Sequence, residues 1–402
     1  MAKDTCAWRE DITMSKGINL RAVLAAYNLP ESLKSAFAVL AATHLHSPHS
    51  TTRVSGRSLS QMSQRQRAQA LLKMFVDLRE GGFALTTPYN LRQKHIQWLV
   101  RYWVLEQKLN VGTVELRLTH LRALTSWMGK TNMVGSLDDY VERPADYKRS
   151  YIAREDRSWA GNGVDAVAKI AEIATTDRHV ALQLKLEAAF GLRAKESWRL
   201  RPIQDVLPSG HLHIVDGTKG GRSRNVSLEF TWQYDLLIEV AELAAETNPK
   251  YGTLIPRTYT QDQWRRHFYS VLEKHGVTKN GCGVTAHGLR HQYFHQMYER
   301  TAGQAAAIKG GGKVIDRARH EEAMRKIVAA AGHSRQTKAN AYLSTYSVQA
   351  AASRPVVAPE MAAQAVADAG GVKAKAAQAL GITRQALYRL LARLPVIKES
   401  EE

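Results

Sequence analysis

The sequence predicts a mainly helical protein with one small β-sheet, divided into more than one domain. Three observations carry that expectation. At 402 residues and 44% hydrophobic content the chain exceeds one ordinary domain and can bury more than one core. Apolar residues recur at helical spacing through most of its length. One stretch, His211-Leu-His-Ile-Val-Asp216, alternates instead, and a Gly-rich turn over 217–222 leads into a second extended run from Asn225 to Phe230, which completes a β-hairpin.

Taken in order, residues 1–50 combine a helix around Leu20 to Tyr27 with a His-rich polar stretch, His44 to His49, and read as an N-terminal appendage. Residues 51–140 read as a small all-helical domain. Its helices run from Gln64 to Leu78, from Leu91 to Glu106 with Asn90 and Gln93 as a capping pair, and from Thr113 to Trp127. In the second, Ile96, Leu99, Val100, Trp103 and Val104 form one stripe. In the third, Arg117 and Arg122 stand off the apolar side, on a basic outer face. The charged, proline-containing run Val141 to Ser150 opens a linker, 141–157.

Residues 158–353 then mix helix and strand. Helical stripes from Val164 to Ile173 and Val180 to Phe190 precede the hairpin, and helices return over Tyr234 to Glu246, Gln261 to His275 and Leu289 to Thr301. A Lys-Gly-Gly-Gly-Lys loop at 309–313 breaks the pattern. After Pro355 and Pro359 the composition turns Ala-rich, and residues 354–402 read as a separate tail.

The net charge of +19 falls almost wholly between residues 51 and 349, which points to a polyanionic partner. Two cysteines are too few for a disulfide framework or a Cys-rich zinc module, so a reducing cytoplasm is expected. No apolar run reaches the length of a membrane span, and the N-terminus carries no signal-peptide core.

Arg193 with Glu196, Lys219 in the hairpin turn, His287-Gly-Leu-Arg-His291, Gly332-His333 and Tyr342 each have an ordinary reading alone: a helix-start ion pair, a solvated turn, a capping or salt-bridge pair, a half-buried aromatic. In this order and spacing the set resembles the tyrosine recombinase (phage-type integrase) family over roughly residues 65–350. The resemblance implies that the helical segment is a core-binding domain of the SAM-like type. It also implies cleavage of double-stranded DNA attachment sites through a 3′-phosphotyrosyl intermediate and a Holliday junction, by a homotetramer that clamps the duplex.

The chemistry of the residues agrees. Charge grows on a phosphodiester under attack, and two guanidiniums, Arg193 and Arg290, are a natural clamp for it. Tyr342, as a phosphotyrosine, keeps the energy of the broken bond, so neither ATP nor a cofactor is needed. His287 is a base or hydrogen-bond partner, Lys219 a proton donor to the leaving 5′ oxygen, and His333 a phosphate or tyrosine contact. His291 and Glu196 support the set from behind; Arg222 in the turn and Arg117 and Arg122 on the helical domain are DNA contacts, and residues 1–50 could bind separate DNA sites. Tyr346 lies close enough to compete, and Tyr342 is preferred. His287, His291 and His295 recur at i, i+4, but without the Glu of a His-Glu-x-x-His site or a cysteine pair no metal is expected. Arg290 and His333 stand far apart for this pattern, so residues 302–326 read as an insertion that contacts DNA or another subunit.

In the tail, Ala376 to Leu390 resembles a Fis-like helix-turn-helix, with Arg384, Gln385 and Arg389 facing the major groove. The expectation is a bacterial or phage site-specific recombinase of a mobile element, helped by an accessory DNA-bending protein or directionality factor. The rivals are a type IB topoisomerase-like nicking-closing enzyme and a catalytically silent DNA-binding regulator.

Overall fold

A computed structural model describes residues 14–15, 17–49, 58–143, 147–218, 221–352 and 357–393. The chain divides into two compact units, 1–150 and 151–402.

In the first unit a short antiparallel pair, β1 (Met14–Ser15) and β2 (Ile18–Asn19), leads into five helices: α1 (Leu20–Ala25), α2 (Glu31–His44), α3 (Gln61–Glu80), α4 (Gln93–Arg101) and α5 (Val111–Trp127). Side-chain oxygens start three of them: Asn19 accepts from the Ala22 amide, Ser60 from Ser63 and Asn110 from Gly112. The expected Asn90–Gln93 cap is not used. Pro88 draws Asn90 into a 3-10 turn, and α4 starts after Arg92, whose amide donates to His95 Nδ1 at 3.0 Å.

Residues 18–45, read from the sequence as an appendage, share the core of this unit. Leu20, Leu33, Phe37 and Leu45 are sealed in one cluster with Leu72, Phe75, Leu99, Trp103 and Leu121. Leu33, Phe37, Leu40 and Ala41 give α2 an apolar face that the following histidines obscure in the sequence. Arg117 and Arg122 also differ from expectation. Arg117 lies over the Trp103 ring, 4.9 Å from its centre, and 3.5 Å from the fully buried carboxylate of Asp77, which also accepts from Trp103 Nε1 at 3.0 Å. Arg122 donates to the Val134 and Gly135 carbonyls. Both guanidiniums are turned to internal partners: Arg117 adds its charge beside a carboxylate that Trp103 and, at 2.8 Å, Lys73 Nζ also hold, and Arg122 satisfies carbonyls after α5.

The second unit begins with α6 (Ala166–Thr176), α7 (Arg178–Phe190), α8 (Ala194–Arg199) and α9 (Pro202–Asp205). A three-stranded antiparallel sheet follows, β3 (Val206–Leu207), β4 (His211–Ile214) and β5 (Arg224–Ser227), ordered β3-β4-β5 with Leu212 opposite Val226. Then come α10 (Thr231–Thr247), α11 (Gln261–Lys274), α12 (His287–Ala302), α13 (Arg317–Ala331), α14 (Asn340–Leu343) and α15 (Tyr346–Ala352). Helix α12 lies between two cores. Its Leu289 joins Trp159, Trp198, Trp264 and Phe268, while Tyr293, Phe294 and Met297 join Phe190, Val240 and Ile327.

The expected insertion, 302–326, runs through a 3-10 turn at Ala307–Lys309 and a loop into the first ten residues of α13. That helix packs on α12 and buries Ala323, Met324, Ile327, Val328 and Ala331, while Arg317 and Arg319 stay exposed. Its charges occupy one face of a core helix. The tail forms α16 (Pro359–Asp368), α17 (Lys373–Ala379) and α18 (Arg384–Leu391), closed over Ala362, Ala376, Ala377 and Leu387. Among the described residues no helix is long and apolar enough to cross a membrane.

Candidate active site

Two glycines place the clamp. Gly191 ends α7 at φ 59, and a Cβ there would come within 2.4 Å of the Tyr293 ring, so only glycine makes the turn. Arg193 follows at the start of α8. Its amide donates to Glu196 Oε2 at 2.8 Å and its Nη1 to Oε1 at 2.7 Å. Gly332 ends α13 at φ 70, leaving the Ala331 carbonyl free to accept from outside the helix, and His333 comes next.

Both guanidiniums converge on that carbonyl, Arg193 Nη2 at 3.0 Å and Arg290 Nη2 at 2.9 Å. Arg290, on α12, is fully buried; its Nη1 donates to the Gly191 carbonyl and its Nε to the Tyr342 hydroxyl at 3.1 Å. Burial lowers the Arg290 pKa to about 10, which leaves it cationic at neutral pH. His333 Nε2 stands 3.4 Å from the same hydroxyl. The Tyr342 ring packs on Phe294 and on His291, with centroids 4.6 and 5.0 Å away. Tyr342 is buried, whereas Tyr346 is 43% exposed.

The carboxylate behind the clamp has a second arginine that the sequence reading missed. Arg224, the first residue of β5, donates Nη1 to Glu196 Oε1 at 2.9 Å and Nη2 to Oε2 at 2.7 Å, in a buried setting. Burial pushes the Glu196 pKa up, but the hydrogen bonds and charge of Arg224, with Arg193 beside it, outweigh this and hold it at about 2. Nothing in local spacing marks Arg224, because its partner lies on a different element; the sequence reading chose Arg222, which is exposed at the turn.

The histidines around the clamp are shifted down. His333 falls to about 4 through burial and the Arg193 and Arg290 charges. His291, buried, falls to about 3 through burial and its two histidine neighbours. His287 falls to about 4, from crowding around the ring and then the Arg290, Arg193 and Arg157 charges; since the residue is exposed at the surface, the cationic neighbours are the firmer cause. A cavity of about 340 Å³ beside the clamp is lined by His287, Arg193, Lys195, Thr285, Tyr269 and Glu187. Glu187 is fully buried with neither carboxyl oxygen hydrogen bonded, and burial, with Glu196 nearby, pushes its pKa far up.

The structure therefore gathers Arg193, Glu196, His287, Arg290, His291, His333 and Tyr342. Lys219 lies outside the described residues. Arg384, Gln385 and Arg389 are exposed on α18. His287, His291 and His295 stack edge to face along α12, and no group of three metal-binding side chains gathers among the described residues.

Residues 156–296 match the family model described as integrase, and residues 360–394 match the model described as bacterial regulatory protein, Fis family. No curated protein matches the chain. Among solved structures, a lambda integrase dimer bound to a COC′ core site is 18% identical, covering 71% of this chain and 89% of that one at a TM-score of 0.45. The XerH site-specific recombinase bound to a palindromic difH substrate is 16% identical, covering 83% and 92% at 0.46. The Tn1549 transposon integrase in complex with transposon right end DNA is 13% identical, covering 78% and 96% at 0.47. At such TM-scores these likenesses add nothing to the functional reading. The integrase match takes in Arg193, His287 and Arg290 and stops short of His333 and Tyr342, which the fold itself brings to the clamp.

Proposed function

We propose, from the integrase match over 156–296 and the Fis-family match over 360–394, that the chain is a tyrosine recombinase, a site-specific DNA recombinase of a mobile element. One observation carries the reading: the Tyr342 hydroxyl lies within reach of both Arg290 Nε and His333 Nε2, 3.1 and 3.4 Å away. A phenol held between a guanidinium and a neutral imidazole is a nucleophile with a proton acceptor and an electrostatic partner in place.

In the proposed reaction the Tyr342 oxygen attacks the phosphorus and loses its proton to His333 or His287. Arg193 and Arg290 take the charge that builds on the non-bridging oxygens. The 5′ oxygen leaves with a proton from Lys219, and the DNA 3′ phosphate stays on the tyrosine. A 5′ hydroxyl attacking that bond reverses every step, so exchange between two sites reseals without ATP. Charge stabilisation comes from guanidiniums, so no metal is required. Arg290 is sealed in the free protein, with Tyr342 on its Nε, so a docking phosphate must displace that contact or use the remaining N–H groups.

The reading extends to a homotetramer on two double-stranded attachment sites in a bacterial cell, served by a DNA-bending or directionality factor. The test is trapping on a nicked suicide substrate in EDTA without ATP. A covalent adduct is expected, lost in Tyr342→Phe and kept in Tyr346→Phe. An adduct that persists in Tyr342→Phe, or that needs a divalent metal, overturns it. Linear products joining two sites, rather than relaxed circles alone, separate recombination from a topoisomerase.

A further inference from the structure

Helix α14, which carries Tyr342, has only four residues and is followed by Ser344 at φ 61. So short a helix closes few hydrogen bonds of its own and leans on outside contacts to hold its place. The Asn340 carbonyl accepts from the Ser344 amide at 3.1 Å and from the Ala153 amide at 2.9 Å. The Tyr342 carbonyl accepts from His295 Nε2, also at 2.9 Å, in a fully enclosed setting.

His295 lies two turns along α12 from His287, beyond the residues given a chemical role above. It is 1% exposed. Its ring meets His291, with centroids 6.3 Å apart, and His291 in turn packs on the Tyr342 ring. The charged groups that act on it are Asp156, whose Oδ1 is 3.8 Å from Nδ1, and Lys309 and Glu299 farther off. Nδ1 itself has no hydrogen-bond partner. Burial lowers the pKa of His295 despite the help of the Tyr342 carbonyl and Asp156, so the ring is neutral at neutral pH. A neutral imidazole has one N–H, and the Tyr342 carbonyl can only accept, so the proton is on Nε2.

We propose that His295 is a positioning residue for the nucleophile: its Nε2–H holds the backbone carbonyl of Tyr342 and thereby sets where the phenol meets Arg290 and His333. The inference rests on Tyr342 being the nucleophile. One turn of helix cannot resist rotation alone, and a tilt at the carbonyl is carried to the hydroxyl at the far end of the ring. Loss of the hydrogen bond therefore slows attack without touching the DNA-binding surface.

The test compares His295→Gln, whose Nε2 can still donate, with His295→Phe, which keeps a planar ring and loses the donor. Both are made in the full chain and assayed for single-turnover cleavage at saturating suicide substrate and for DNA affinity. The Phe variant is expected to lose at least ~10-fold in rate, the worth of one buried hydrogen bond, at unchanged affinity, and Gln to stay within about threefold of wild type. Equal loss in both variants, or a wild-type rate in Phe, overturns the proposal. If the Phe variant does not fold, the 15N spectrum of histidine-labelled wild type decides, with Nε2 protonation of His295 expected and the Nδ1 tautomer overturning it. A wild-type protein that forms no adduct at Tyr342 would instead reject the functional reading beneath.

Discussion

Arg224 holds both oxygens of the Glu196 carboxylate, at 2.9 and 2.7 Å, while its Nε reaches the Ala330 carbonyl at 2.6 Å. Strand β5 is thereby tied to α8 and to the end of α13, the two elements that present Arg193 and His333. Glu196 serves two arginines at once. Arg193 takes its orientation from an acid that a second, more deeply buried arginine keeps ionised.

Removing that second arginine should cost more than one ordinary contact. Arg224→Met leaves the buried Glu196 charge with the partly exposed Arg193 and, at 4.0 Å, Arg290 beside it, and is expected to lose about 3–5 kcal/mol in denaturant unfolding at neutral pH. Adding Glu196→Gln should restore much of the stability and little of the cleavage. Since folding holds the Glu196 pKa at about 2, below its ordinary 4.5, its contribution is full above pH 4.5 and is lost as pH falls toward 2. The Arg224→Met variant should show less of that acid loss.

Most of the candidate set was legible because its members carry local marks: a glycine turn before Arg193, a His-x-Leu-Arg-His box on one helix, and Gly332-His333 with a tyrosine one short helix later. Arg224 and His295 carry none, since their partners are Glu196 across the sheet and a backbone carbonyl of α14. Long-range pairing of this kind leaves no period in the chain. The same blindness misjudged the N-terminal residues, where histidines after α2 hid an apolar face that Phe37 and Leu33 bury. It also misjudged Arg117, whose place off the stripe did not disclose buried Asp77 opposite.

The pH profile of cleavage should carry the mark of the arginine clamp. With the His333 pKa lowered to about 4, the ring is neutral and able to accept a proton well below pH 6.5. Single-turnover cleavage is expected to hold through pH 6 and to fall only toward pH 4. In Arg193→Gln one of the cations responsible is gone, so the acid limb should move up toward 6.5 as the rate itself drops. A limb near 6.5 in the wild type would show that His333 does not feel the clamp. The stability linkage runs the same way: a lowered histidine pKa favours the fold above 6.5, and that gain is lost as pH falls through about 4.

Glu187 makes stability fall as pH rises above the ordinary carboxyl range. Its carboxyl is buried without a hydrogen-bond partner and its pKa is raised by burial, so folding favours the protonated form. A raised pKa contributes stability that is complete below the ordinary carboxyl range and lost as pH climbs through the folded value. Glu187→Gln keeps the shape and cannot ionise. It is expected to match wild-type melting at pH 5 and to melt higher at pH 9. Lower stability of the variant at both values would mean that the ionised form is paired in the fold.

The tail can be separated from the chemistry without shortening the chain. Leu387 is the buried residue of α18, fully enclosed against Ala362, Ala376 and Ala377, so Leu387→Asp places an unpaired charge in a core too small to absorb it and should unfold the helix-turn-helix alone. Every residue at the clamp lies before Pro359, so suicide-substrate cleavage at saturating DNA should stay within about threefold of wild type. Arg384, Gln385 and Arg389 stay exposed on α18, with Arg384 and Arg389 supplying cationic contacts, and unfolding that helix should weaken binding to attachment-site DNA and flatten its salt dependence by about one to two units in the logarithmic slope. Binding unchanged across the salt series would give α16 to α18 a protein partner in place of DNA. Cleavage lost at saturation would instead mean that the tail helps to assemble the active site.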